Sequence, residues 1–159
     1  MLPRFEYYAP RDLGEACALK AAGAKPVAGG TDVYVNMHGG KERAGKIVDL
    51  KGVEALRELR LTEEGLYLGA LTTHRQVELW EELRGRFYAL YQGCSQVGSV
   101  HIRCRGTLGG NVMNGVPSAD SAGPLLVHGA EAGVAGPAGE RRVPLEKFYT
   151  GLKTFDLGE

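Results

Sequence analysis

The chain has 159 residues, 24 of them glycine, and its 19 lysines and arginines balance 19 acidic residues. That balance lacks the basic excess of a nucleic-acid or anionic-membrane binder, and no apolar run is long enough for a membrane span or signal core. The expectation is a soluble, cytoplasmic protein with one core or two small lobes.

Asp12-Leu13-Gly14-Glu15 has the D-x-x-E form of a capping box. It predicts a helix to about Ala22, with Leu13, Ala16, Cys17 and Leu19 inward and Gly23 as its stop. Lys25 to Ala28 reads as a strand, Val33 to His38 as a helix, and Lys46 to Leu50 as a second buried strand. Together they make a βαβ-like lobe over residues 1–52. A short helix over Val53 to Leu59 precedes a hairpin turning at Gly65. Thr73 caps a helix from His74 to about Leu83, with Val77 and Trp80 facing the core. Phe87, Leu90, Tyr91 and Cys94 have helical spacing over Arg86 to Val97. Asp120 to His128 reads as a helix with Asp120 as its cap. A second hairpin turns through Gly136-Pro137-Ala138-Gly139, and a last short helix covers Pro144 to Tyr149. Residues 53–159 therefore form a larger α+β lobe.

Two glycine-rich stretches carry the chemistry: Ala28-Gly29-Gly30-Thr31-Asp32 and Gly106-Thr107-Leu108-Gly109-Gly110-Asn111. A backbone without Cβ atoms approaches a ligand closely and turns several N–H groups to one point. In the first stretch Thr31 and Asp32 can donate to a phosphate and cap the next helix; the plain alternative is a tight connection. In the second, Asn111 and Asn114 lie three apart, and Asp120 follows within reach of the same cavity. Gly40 to Lys46 has P-loop spacing, but Ile47 stands where the Mg²⁺-binding hydroxyl belongs, so triphosphate hydrolysis is excluded. Neither stretch is a G-x-G-x-x-G dinucleotide fingerprint. Cys17, Cys94 and Cys104 contain no C-x-x-C pair, which argues against a disulfide framework and a zinc or iron–sulfur site. Cys17 reads as a small buried hydrophobe. Histidines 38, 74, 101 and 128 have no metal-ligand spacing and read as surface or helix-end residues. Arg103 and Arg105 read as solvated surface, with phosphate or a partner protein as the alternative.

In register along the chain, these segments resemble the FAD-binding subunit or domain of the molybdenum hydroxylases, the family of xanthine dehydrogenase and aerobic carbon monoxide dehydrogenase. The resemblance runs through the Pro10 to Ala22 helix, Pro26 to Asp32, Leu68-Gly69-Ala70-Leu71-Thr72-Thr73-His74 and Val97-Gly98-Ser99. It continues through Ile102-Arg103, Gly106 to Asn111, Pro117-Ser118-Ala119-Asp120, and Arg142-Val143-Pro144-Leu145 before Phe148. It implies the two-subdomain α+β fold of the vanillyl-alcohol oxidase type with FAD between the subdomains. By the same resemblance, Ala28, Gly29, Gly30, Thr31 and Asp32 take the pyrophosphate. Gly106, Thr107, Gly110, Asn111, Asn114 and Asp120 line the opposite wall, with Gly69, Thr73 and Gly98 contributing.

The resemblance further implies an iron–sulfur subunit as electron donor, a molybdenum-cofactor subunit that oxidises substrate, and an acceptor such as NAD or a quinone. No side chain of this chain is then a catalytic acid, base or nucleophile. Two departures stand out: Cys104 replaces the family's usual Asn, and a C-terminal domain covering the flavin is not within these residues. The competing readings are an assembly protein that keeps the fold but holds FAD poorly, and a stand-alone flavoenzyme acting on a small substrate.

Overall fold

In the computed structural model, which describes residues 1–157, strand β1 (Glu6–Tyr8) comes first. Helix α1 (Leu13–Ala21), strand β2 (Lys25–Val27), helix α2 (Val33–His38) and strand β3 (Lys46–Asp49) follow. Both β1 and β2 pair parallel to β3, in the order β1-β3-β2. Parallel neighbours need crossovers, which α1 and α2 supply. The Asp12 carboxylate accepts from the Glu15 N–H at 2.8 Å. At the other end the Gly23 and Ala24 N–H groups return to Lys20 and Leu19 at 2.9 and 3.0 Å, the double bond of a Schellman stop. Of the side chains expected inward, Ala16 is buried, whereas Leu13, Cys17 and Leu19 are half-buried; the buried thiol is Cys94. Val27, Met37 and Ile47 form the core beneath this sheet.

Two 3-10 turns, Leu50–Gly52 and Glu54–Arg57, replace the helix expected over Val53 to Leu59. The Leu56 and Glu58 carbonyls accept instead from Leu71 and Gly69, at 2.8 and 2.6 Å. Strands β4 (Leu59–Leu61) and β5 (Leu66–Leu68) form the expected hairpin. Helix α3 (His74–Leu79) starts at a two-armed capping box between Thr73 and Gln76. It stops at Trp80, short of Leu83, and the buried Leu83 opens α4 (Leu83–Arg86). Helix α5 (Tyr88–Gln96) then points Leu90 and Cys94 into a core shared with Val77, Leu83 and Leu108. Burying side chains such as Leu83 and Leu90 contributes about 1.5–3 kcal/mol each.

Short helices α6 (Val100–Arg103), α7 (Leu108–Asn114) and α8 (Ala122–Val127) lead to the antiparallel hairpin of β6 (Glu131–Gly136) and β7 (Gly139–Pro144). Helix α9 (Leu145–Phe148) and the small pair β8 (Tyr149–Gly151) and β9 (Thr154–Phe155) complete the described chain. Val143, Leu145 and Phe148 make its third cluster. All parallel pairing lies before residue 52 and all later ladders are antiparallel, so the fold class is α+β. Among the described residues no helix is long and apolar enough to cross a membrane.

Candidate cofactor site

Val27, the last residue of β2, pairs with Asp49, the last of β3. The loop from Ala28 to Asp32 therefore leaves the C-terminal edge of the parallel sheet, the edge at which such sheets receive ligands. Gly30 has φ +78°, and a Cβ there would lie 2.6 Å from the Tyr34 ring. Glycine is required both by the backbone and by the ring over it. Among the described residues, the N–H groups of Gly29, Gly30, Thr31 and Asp32 donate to no protein acceptor. Successive unpaired N–H groups in one turn form an anion-binding nest. Asp32 occupies the cap position of α2 but has helical φ and ψ and makes no side-chain cap bond, contrary to the sequence expectation. Among the described residues its carboxylate accepts only a 3.5 Å contact, from the Thr31 hydroxyl.

The second stretch is the first turn of α7 rather than a loop. The Leu108 N–H donates to Thr72 at 2.8 Å and Gly109 to Ala70 at 3.0 Å. The Gly110 N–H donates to the Thr107 hydroxyl at 3.1 Å, and Asn111 to the Thr107 carbonyl at 2.9 Å. The helix start is closed by the protein itself, and Thr107 is its N-cap. Gly109 is required by packing: a Cβ would stand 2.6 Å from that of Ala70. What α7 offers a ligand is side chains. Asn111 Oδ1 accepts from the buried Ser121 hydroxyl at 2.6 Å, which leaves the amide NH2 as its unpaired donor among the described residues. The half-buried Asn114 makes no side-chain hydrogen bond among them. Asp120 is exposed and is not a helix cap; Ser121 holds that position in α8, without a capping bond.

The fold brings the two stretches into contact. A Cβ on Gly29 would sit 2.1 Å from the Arg105 carbonyl oxygen, and one on Gly110 would lie 3.9 Å from Ala28 Cβ. Gly29 thus packs on Arg105 and Gly106 and Ala28 faces Gly110, which sets the Ala28 to Asp32 loop against the start of α7, with Asn114 further along that helix. The three contributing residues are engaged within the protein, although Thr73 sits beside the second stretch, bridged antiparallel to Thr107. Gly69 crosses the Leu56 carbonyl, 2.3 Å from where its Cβ would be. The Thr73 hydroxyl is spent in the capping box, and the Gly98 carbonyl accepts from Arg103 at 3.3 Å.

Arg103 is not solvated. It is 9% exposed and forms a two-pronged bond to Glu78 at 2.8 and 3.1 Å. Arg103, by those bonds, holds the Glu78 carboxyl below the usual range. His74, read as a surface or helix-end residue, opens α3 but is 1% exposed. Its Nδ1 and the Thr72 hydroxyl are buried without partners among the described residues. Burial lowers its pKa, with Arg103 adding to the effect and Asp120 opposing it. The sequence reading missed a cluster at the sheet edge. Tyr7 donates to the buried Asp49 carboxylate at 2.5 Å, and Lys51 pairs with the same group. Burial alone would raise the Asp49 carboxyl, but the bonds from Lys51 and Tyr7 hold it below its ordinary value. The same bond pushes the Tyr7 phenol up to about 12.

A groove of about 1080 Å³ lies away from the nest, between β5 and the β6–β7 hairpin, over Leu90, Val112, Leu125 and Phe148. Gly69 and Gly109 line it, but none of Ala28 to Asp32 does. Among the described residues no cluster of three metal-ligand side chains occurs.

Residues 3–159 match the family model described as the FAD binding domain in molybdopterin dehydrogenase. The chain is 37% identical over 148 residues to the xanthine dehydrogenase FAD-binding subunit of Escherichia coli O157:H7, covering 91% of this chain and 51% of that protein. It is 30% identical over 152 residues to the carbon monoxide dehydrogenase medium chain of Hydrogenophaga pseudoflava, covering 94% of this chain and 53% of that one. Its fold superposes on quinoline 2-oxidoreductase from Pseudomonas putida 86 with a TM-score of 0.93 at 28% identity, covering 99% of this chain and 56% of that one. The chain thus spans about half the length of the relatives it matches. A nest of unpaired N–H groups beside a wall of amide and hydroxyl side chains fits the diphosphate of the cofactor this family model names. The chain belongs to the FAD-binding domain family of the molybdopterin dehydrogenases.

Proposed function

We propose that this chain is the FAD-carrying electron-transfer domain of a molybdenum-containing hydroxylase or dehydrogenase. The observation that carries this reading is the unpaired run of N–H groups from Gly29 to Asp32, seated against Arg105 and Gly106 in a chain of this family. Residues 1–52 and 53–159 are the two subdomains facing the cofactor. Gly29, Gly30, Thr31 and Asp32 present backbone donors to the diphosphate. The Asn111 amide and Asn114 supply side-chain donors from α7, with Asp120 as an exposed acceptor. FAD itself supplies the redox chemistry. The protein's part is to bind and orient it, and no residue here serves as acid, base or nucleophile. Electrons arrive from iron–sulfur clusters on a partner subunit and leave to an acceptor such as NAD or a quinone, while substrate is oxidised at a molybdenum cofactor on another subunit. The relatives' own designations as a subunit and a medium chain support a multi-subunit setting.

The test is a visible absorbance titration of the purified chain with FAD. Saturable binding with a perturbed flavin band supports the reading. A chain that stays folded and leaves the flavin spectrum unchanged overturns it and moves the assembly-protein reading ahead.

A further inference from the structure

We infer that Arg105 is the cation that closes the nest, a positioning residue pairing with the diphosphate of the dinucleotide. This inference rests on the FAD-binding reading and deepens it. The Arg105 N–H bonds the Ile102 carbonyl at 3.0 Å, and its own carbonyl lies where a Gly29 Cβ would be, 2.1 Å away. Its backbone is therefore tied to α6 and lies directly against the nest loop. Its charge also acts on Tyr34, whose ring covers Gly30, and opposes the rise that burial gives that phenol. The residue thus meets Gly29 through its backbone, and its charge reaches the ring that covers Gly30.

Charge balance gives this position its purpose. The nest ends at Asp32, an exposed carboxylate that forms no ion pair among the described residues. A diphosphate held by the nest donors also meets this like charge, and a cation on the facing wall offsets that repulsion. Two arginines approach from the facing wall, and they differ. Arg103 is consumed by Glu78, with its remaining bonds going to the Val97 and Gly98 carbonyls. Arg105 is exposed and, among the described residues, pairs with no carboxylate. A planar guanidinium that donates in a fork suits a phosphate better than an ammonium does.

The experiment titrates the full chain, wild type and Arg105→Ala, Arg105→Gln and Arg105→Lys, with FAD, riboflavin and inorganic pyrophosphate at two salt concentrations. Arg43→Ala, an exposed charge elsewhere, is the control. FAD affinity is expected to fall about tenfold or more in Arg105→Ala and Arg105→Gln, and less in Arg105→Lys. Its salt dependence flattens, while riboflavin, which has no phosphate, binds all of them alike. Pyrophosphate raises the thermal midpoint of wild type but not of Arg105→Ala. Equal FAD affinity and salt dependence in wild type and Arg105→Ala overturn the inference. If wild type takes no FAD but pyrophosphate still protects it through Arg105, the proposed function fails and the anion site stands. If pyrophosphate also fails to distinguish the two, both fail.

Discussion

Among the described residues, the backbone N–H groups from Gly29 to Asp32 find no protein acceptor; from Leu108 to Asn111 every one of them does. Both stretches carry paired glycines, a threonine and an amide or carboxylate. In the first, Gly30 supplies a left-handed turn that keeps its donors facing outward. In the second, Gly109 lets α7 lie directly on Ala70, and the donors are spent on Thr72, Ala70 and Thr107. The same composition thus gives an open nest in one place and a packing joint in the other. What separates them is the neighbour: a free sheet edge beside the first, the β5–α3 connection against the second. A glycine pair marks a close approach, and the fold decides whether a ligand or the chain itself makes it.

That contrast can be broken most forcefully at its two packing glycines. Gly29→Ala drives a methyl into the Arg105 carbonyl and Gly109→Ala drives one into Ala70, so each should cost about 1–3 kcal/mol in chemical denaturation. Both stretches should also part, and FAD titration should show weakened binding in each. Wild-type stability in either variant would mean that the two walls are not held together by these contacts.

The next effect separates buried charge from ligand-facing charge. Arg103 lowers the Glu78 pKa, so this pair's contribution to stability is present above the ordinary glutamate pKa. It is lost as pH falls through the lower folded value. Glu78→Gln should be less stable than wild type at neutral pH, and the gap should close in acid. Thermal midpoints measured from pH 7 down to 3 check this; a gap that does not change with pH would count against the ion pair.

A smaller and sharper test pairs two threonines. Thr73→Ala removes a capping box and should cost about 1 kcal/mol of stability with FAD affinity unchanged. Thr31→Ala, whose hydroxyl makes only a 3.5 Å contact, should leave stability alone and weaken FAD binding several-fold. Reversed results would exchange the roles of the two regions. Smallest of all, Cys17→Ser should cost a few tenths of a kcal/mol, since that thiol is only half-buried. A denaturation midpoint shifted as far as that of Gly109→Ala would restore the sequence reading of a buried Cys17.

Local chemistry was legible in the sequence wherever the deciding partner was a near neighbour. The ends of α2 at Val33 and His38, the stop at Gly23 and the hairpin turns at Gly65 and Pro137-Ala138 are all set within a few residues. What was not legible depended on distant partners. β1 is a strand because β3 accepts it, the segment from Glu54 to Glu58 forgoes an α-helix because Leu71 and Gly69 take the Leu56 and Glu58 carbonyls, and Arg103 is buried because Glu78 meets it. Helix α6 and the β8–β9 pair were missed for the same reason: a helix of four residues and strands of three and two carry no periodicity of their own. At the site, the sequence located both glycine stretches and Asn111, but assigned caps to Asp32 and Asp120 that neither provides. The resemblance carried the order of the segments; it could not show which backbone donors were already taken.

The contact of Gly29 with the Arg105 carbonyl joins segments that lie far apart in the chain. Closing so long a loop is slow, and its entropy must be spent before the contact repays it. The sheet and the nest loop come from early residues, yet the wall that completes the nest is not in place until α6 and α7 have docked. The expected consequence is that cofactor capture comes late in folding. An unfolding study begun from the FAD-bound chain would see the ligand leave with the first separation of these two segments, ahead of the core around Leu90.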